Sequence, residues 1–163
     1  MVAVLERPHK SLSQGLAALA ARLKTSDDDR ESWAPAVLGA TRELEQEIAA
    51  GEALRLVAAS VLNVAEDGGY EQVTGASRMG DQVAGAAVAL SSKALRLWLG
   101  GPMNGPVLIV DGVLATGTQM AAMAQEARLA GASRVGGVAV VATRNGLRFA
   151  RDEVGDVTVL ESN

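Results

Sequence analysis

Cysteine is absent from the 163 residues, and histidine occurs once. The first absence excludes disulfides, Cys-ligated zinc and a Cys nucleophile; with only His9 available, a His-rich metal centre is excluded too. Aromatic residues make up 2% of the chain, so the core must be built from Ala, Val and Leu, and the stacking platforms that hold single-stranded nucleic acid are almost missing. Long apolar runs are lacking as well. Residues 1–5 are too short a run for a signal peptide and are followed by charge from Glu6 onward, and no run reaches membrane-spanning length. Positive charge is outnumbered: the formal net charge of -4 argues against a nucleic-acid backbone or an anionic membrane as partner. A soluble cytoplasmic protein is the resulting expectation, with His9 on its surface.

What is present is a 48% hydrophobic chain of a length suited to one domain, residues 1–163. Leu12, Leu16, Leu19 and Leu23 recur at helical spacing and predict a first helix over residues 11–23. The polar break at residues 25–29 ends in three aspartates; adjacent helical residues do not share a face, so the run reads as a solvated cap rather than a metal site. A second helix over 32–50, with Trp33, Val37, Leu38, Leu44 and Ile48 as its stripe, stops at Gly51. A third follows over 52–65. Residues 1–66 are thus a helical N-terminal region.

From residue 71 the pattern changes to buried runs alternating with helices. The sequence predicts strands at 71–74, 93–99, 107–110, 135–141 and 156–160 and helices at 83–90 and 120–130, with a short helix opening near 142–147. In the second of these strands Leu95, Leu97 and Leu99 alternate with Arg96 and Trp98, which reads as one buried and one exposed face. The fold class is α/β with a mainly parallel sheet over 71–163, its ligands at the carboxyl ends of the strands.

The most informative stretch is 107–120, VLIVDGVLATGTQM. Three β-branched residues and a leucine run without a polar break into Asp111, as a doubly buried strand does. Ala115, Thr116, Gly117 and Thr118 follow, small or hydroxyl-bearing, and lead into a helix. Unpaired amides and the helix macrodipole at such a start attract an anion, and Thr hydroxyls add donors. The bland alternative is an ordinary strand-loop-helix in which Asp111 is a turn residue and Thr118 an N-cap. A second strand-loop-helix precedes it at residues 75–80, GASRMG, where an Arg beside a sharply turning backbone suits a diphosphate, because the guanidinium fork grips paired oxygens. There the alternative is a surface Arg78 in a tight turn.

The run from Val110 to Gly117 resembles the ribose-phosphate loop of the type I phosphoribosyltransferases, most closely the uracil phosphoribosyltransferases, whose loop typically reads Asp-Pro-x-Leu-Ala-Thr-Gly-Gly-Ser/Thr. Other members of the class usually carry two adjacent acids, whereas the uracil enzymes keep only the first, as here with Gly112 after Asp111. The resemblance extends over about residues 73–160 and implies a phosphoribosyltransferase-like sheet. It implies that Asp111 holds the ribose hydroxyls and is the catalytic residue, that Ala115, Thr116, Gly117, Thr118 and Gln119 grip a 5-phosphate, and that Ser77, Arg78 and Gly80 hold a diphosphate. Magnesium is implied by the resemblance alone, since no ligand cluster stands in the sequence.

Several departures accompany the likeness. Thr118 fills the usual Gly, and Gln119 takes the place of the last hydroxyl. Thr143, Arg144, Asn145 and Gly146 stand where the family has Ala-Pro-Glu-Gly. The family's long flap is reduced to the Gly/Pro turn at 100–106, and its base-binding segment has no counterpart before Asn163. Two functions follow as expectations. One is uracil plus phosphoribosyl diphosphate giving uridine monophosphate and diphosphate, with phosphoribosyl diphosphate or a nucleoside monophosphate as ligand. The other is a catalytically inactive descendant serving as a regulatory, structural or partner-binding module. A homodimer or larger homo-oligomer is expected, or a partner chain that supplies the base-binding half.

Overall fold

The computed structural model describes residues 14–26, 30–49 and 51–161. Among these, the chain forms α1 (Gln14–Ser26), α2 (Arg30–Ala49), α3 (Glu52–Gly68), β1 (Gln72–Gly75), α4 (Arg78–Leu90), β2 (Arg96–Leu97), β3 (Pro106–Leu114), α5 (Thr118–Ala130), β4 (Arg134–Ala142), α6 (Arg144–Val154) and β5 (Asp156–Val159). The expected helix start at Ser11, the cap at residues 27–29, His9 and the Trp33 side chain lie outside the described residues.

The strands form one sheet in the order β2-β1-β3-β4-β5, and every neighbouring pair is parallel. Helices cover both faces, which is why β3 and β4 read as unbroken apolar runs rather than alternating ones. On one face Leu23 of α1, Leu44 of α2, Val61 of α3 and Val83 of α4 pack with Leu108, Val110 and Val140. On the other, Met120 and Ala124 of α5 and Ala150 and Val154 of α6 pack with Ile109, Ala139 and Val157. With almost no aromatics to fill space, the helices lie on the sheet through alanines; Ala84, Ala87, Ala124 and Ala127 are all fully buried. The helical N-terminal region therefore forms part of one layer of the α/β sandwich, with Leu19 and Leu23 in the same core as the sheet.

Several boundaries differ from the sequence expectation. Thr25 and Ser26 are helical, and α3 continues to Gly68, where Gly69 closes it in the left-handed conformation. Helix α4 begins five residues early, at Arg78, because Ser77 caps it. Strand β2 shrinks to Arg96–Leu97, both exposed; of the flanking residues Leu95 is half-buried, Leu99 is exposed, and Trp98 is buried with its indole N–H donating to the Gly101 carbonyl at 3.0 Å. The indole is the larger apolar surface and finds its one hydrogen-bond acceptor locally, so it takes the inner side. No single helix among the described residues is long and apolar enough to cross a membrane.

Leu23 on α1 is fully buried, whereas Leu129 on α5 is 83% exposed. In urea denaturation, Leu23→Ala is expected to lower the unfolding free energy by about 2–5 kcal/mol, and Leu129→Ala to change it by less than about 0.5 kcal/mol. An unchanged midpoint for Leu23→Ala would mean that α1 does not share the sheet's core.

Candidate functional site

In a doubly wound sheet of order 2-1-3-4-5, ligands bind outside the carboxyl ends of the strands where the order reverses, here between β1 and β3. The two loops singled out from the sequence leave the sheet at this point. Gly75, the last residue of β1, pairs with Val110, and the Ala76 amide still bonds the Val110 carbonyl at 2.8 Å. Strand β3 continues to Leu114, paired on its other side with β4. Asp111 is thus inside a strand rather than at its end, a correction to the sequence reading, but it stands one residue beyond the point where β1 stops.

Ser77 fills the step. Its backbone is extended, and its hydroxyl accepts from the Gly80 amide at 3.1 Å and donates to Oδ1 of Asp111 at 2.9 Å. One side chain therefore caps α4 and anchors the carboxylate. Gly80 is required for the approach: a Cβ there would collide with the Val110 carbonyl oxygen. Gly80, to which the resemblance gives a diphosphate role, has its amide engaged by Ser77.

Below β3 the chain turns through Ala115 and Thr116 to Gly117, which takes φ 81° and stands at the N-cap of α5. Thr118 is thus the first helical residue and not the cap. Gly117, at the N-cap, has no side chain to offer to the first amides of α5. The Thr116 and Thr118 hydroxyls lie 2.8 Å apart, and the Thr118 amide reaches Thr116 Oγ1 at 3.3 Å. The amides of Gln119 and Met120, in the first turn, are left without an intrahelical acceptor by helix geometry. Gln119 itself is exposed and does not fold back as a cap. Asp111, Val113 and Ala115, Thr116, Gly117, Thr118 and Gln119 line one cavity of about 230 Å³. Hydroxyl donors, helix amides and a carboxylate thus converge there, with the positive end of the α5 dipole behind them.

Asp111 is 4% exposed, and burial pushes its carboxyl from the ordinary 3.8 up to about 6; the bonds from Ser77 and the Gly112 amide oppose the shift without cancelling it. A buried carboxylate with a raised pKa in a cleft is a functional-site mark, although structural networks also produce one.

Arg78 is exposed and faces elsewhere. With Glu45, Ile48, Leu54, Met79 and Gln82 it lines a separate groove of about 710 Å³ between α4 and the α2–α3 corner. The Gly/Pro turn at 100–106 is also remote. Strand β2 ends opposite Val73; after it the Met103 amide bonds Ala130 at the end of α5, the Asn104 carbonyl accepts from Gln72, and the Gly105 carbonyl accepts from the Ser133 amide. All three anchors are at the amino end of the sheet, so this segment is tied down away from the cavity.

Asp111 and its loop, singled out in the sequence and contiguous in the chain, line one cavity. Sequence reasoning missed Val113 in the lining and Thr143 behind the loop, although a Thr three residues before Gly146 at a helix start carries the signature of a cap. No protein-family model matches the chain, and no curated protein matches it significantly.

The raised pKa gives a pH dependence with a definite sign. Below about pH 4 Asp111 is protonated folded and unfolded alike and costs nothing; from there to about pH 6 the unfolded chain ionises first, and stability falls as pH rises. At about 1.4 kcal/mol per pH unit the full cost is about 3 kcal/mol. Asp111→Asn, which keeps an acceptor for Ser77, is expected to be more stable than the parent by about 1–3 kcal/mol at pH 7.5, with the gap closing at pH 4. A gap independent of pH in chemical denaturation would show that Asp111 titrates normally.

Proposed function

We propose that the chain is a phosphoribosyltransferase-like protein of the uracil type that binds a phosphoribosyl ligand: phosphoribosyl diphosphate, ribose 5-phosphate or a nucleoside monophosphate. The observation that carries this reading is the single cavity at the β1/β3 step that joins Asp111 to Ala115, Thr116, Gly117, Thr118 and Gln119. Its volume of about 230 Å³ lies below the roughly 300–1,000 Å³ of sites for drug-sized ligands, and suits a sugar phosphate. In this reading the phosphate sits on the α5 amides and the two Thr hydroxyls, and Asp111 accepts from ribose hydroxyls.

The donor set also fits magnesium delivered on substrate phosphates, because such an ion takes one or two carboxylates and completes its shell with phosphate oxygens and water; Asp111 is the only carboxylate among the lining residues. Bound there, the ion would offset charge on a departing diphosphate. The family reaction, uracil plus phosphoribosyl diphosphate giving uridine monophosphate and diphosphate, depends on positioning and on charge stabilisation of a ribosyl cation.

A second reading, a catalytically inactive descendant acting as a regulatory, structural or partner-binding module, is favoured by one feature. Residues 103–105 of the Gly/Pro turn are anchored at the opposite end of the sheet, and no residue of that turn is among those lining the cavity. A reaction that needs water excluded and both reactants aligned loses much of its advantage in an open site. Either reading is compatible with a homo-oligomer whose neighbour, or a partner chain, closes the site.

Isothermal titration with ribose 5-phosphate, and with phosphoribosyl diphosphate plus magnesium, is expected to give heat for both. A steady-state assay following uridine monophosphate is expected to show turnover below about 1 per second. Turnover at or above that rate would establish the enzyme, and no heat with either ligand would overturn the phosphoribosyl reading altogether. Arg78 lines the separate groove and not this cavity, so Arg78→Ala is expected to leave the affinity for both ligands unchanged. A loss of at least tenfold for phosphoribosyl diphosphate alone, the scale of a charge-assisted contact at about 1.5–3 kcal/mol, would instead bring Arg78 to the diphosphate.

A further inference from the structure

The loop between β3 and α5 is shaped from behind by α6. Thr143 is fully buried at the N-cap of α6. Its amide donates to the Leu114 carbonyl at 3.0 Å, its hydroxyl donates to the Ala115 carbonyl at 2.5 Å, and the same hydroxyl accepts from the Gly146 amide at 2.9 Å. The contact surfaces interlock as well. A Cβ on Gly146 would collide with the Ala115 carbonyl, and one on Gly117 would stand 2.7 Å from the Gly146 carbonyl and 3.0 Å from the Phe149 ring. Only glycines allow the loop and the first turn of α6 to approach this closely.

We infer that Thr143 is a positioning residue for the anion cavity, acting through the Ala115 peptide. This inference rests on the phosphoribosyl reading of that cavity. A peptide group is planar and trans. Pinning the Ala115 carbonyl onto Thr143 therefore turns the Thr116 N–H away from α6 and fixes the direction in which the loop presents its amide and hydroxyl. The loop so held pays little ordering cost when an anion arrives, which is the usual source of affinity in a prebuilt site. Thr143 touches no ligand in this scheme; it sets the geometry of the residues that do. Valine has the same shape but neither donates nor accepts, so it leaves the half-buried Ala115 carbonyl and the buried Gly146 amide without this partner.

The test uses the full chain with Thr143→Val, Thr143→Ser and Phe149→Ala, titrated with ribose 5-phosphate at a temperature where circular dichroism shows each to be folded. Affinity should fall at least tenfold in Thr143→Val, return to within about threefold of the parent in Thr143→Ser, and fall severalfold in Phe149→Ala, whose half-exposed ring backs Gly117. In the ligand-free protein, amide hydrogen exchange at residues 116–119 should be faster in Thr143→Val and unchanged in Thr143→Ser. A lower melting temperature with unchanged affinity and exchange in Thr143→Val would overturn the inference and leave Thr143 a structural cap. If Thr143→Val does not fold, unchanged affinity in Phe149→Ala overturns it. Failure of the parent protein to bind would sink the phosphoribosyl reading, while the exchange comparison would still decide the positioning role.

Discussion

The arrangement at the carboxyl end of the sheet depends on one hydroxyl. Ser77 Oγ accepts from the Gly80 amide and donates a hydrogen bond to Asp111, so the start of α4 and the carboxylate of β3 are set by the same atom. The bond crosses 34 residues of sequence and bridges the point where the strand order reverses. It also explains why the step between β1 and β3 matters: if β1 ran one residue further, the space taken by Ser77 would be filled by backbone, and Asp111 would have a strand rather than a hydroxyl beside it.

Three helices leave the carboxyl ends of β1, β3 and β4, and their starts are treated differently. Helix α4 is capped by Ser77 and α6 by Thr143, each hydroxyl accepting from the amide three residues on. Helix α5 starts at a glycine with no side-chain cap. A missing cap costs a helix on the order of 1 kcal/mol, and Asp111, buried and held ionised at neutral pH, costs more. Both costs fall on the lining of the same 230 Å³ cavity, where a ligand carrying a phosphate and hydroxyl groups could satisfy the uncapped amides and the carboxylate together. Stability is thus given up at one place, with well-capped helices on either side.

Much of this was legible in the sequence because the relevant residues are consecutive. The apolar run of β3, the acid and the small-residue loop give Asp111 and its cavity without any tertiary knowledge, and the 3.6-residue spacing of leucines gives α1–α3. What could not be read depends on contacts between distant segments. Strand β3 extends past Asp111 because Val113 and Leu114 pair with Val141 and Ala142 of β4. Helix α4 starts at Arg78 because Ser77 finds both Gly80 and Asp111, and its first turn, residues 78–81, carries no apolar period to announce it. Trp98, just past β2, is buried, whereas Leu97 and Leu99 on either side of it are exposed. Arg78 was placed by its neighbours in the chain, whereas the α2–α3 corner decides which groove it faces.

The central claim is that a sugar phosphate binds at the start of α5 and beside Asp111. Titrating ribose 5-phosphate into nitrogen-15-labelled protein and following backbone amide shifts locates the ligand residue by residue. The largest changes are expected on Thr116, Gly117, Thr118, Gln119 and Met120, with smaller ones at Ser77 and Gly80 across the carboxylate. Shifts centred instead on Arg78, Gln82 and Gly85 in the larger groove, or no shifts at millimolar ligand, would contradict that claim.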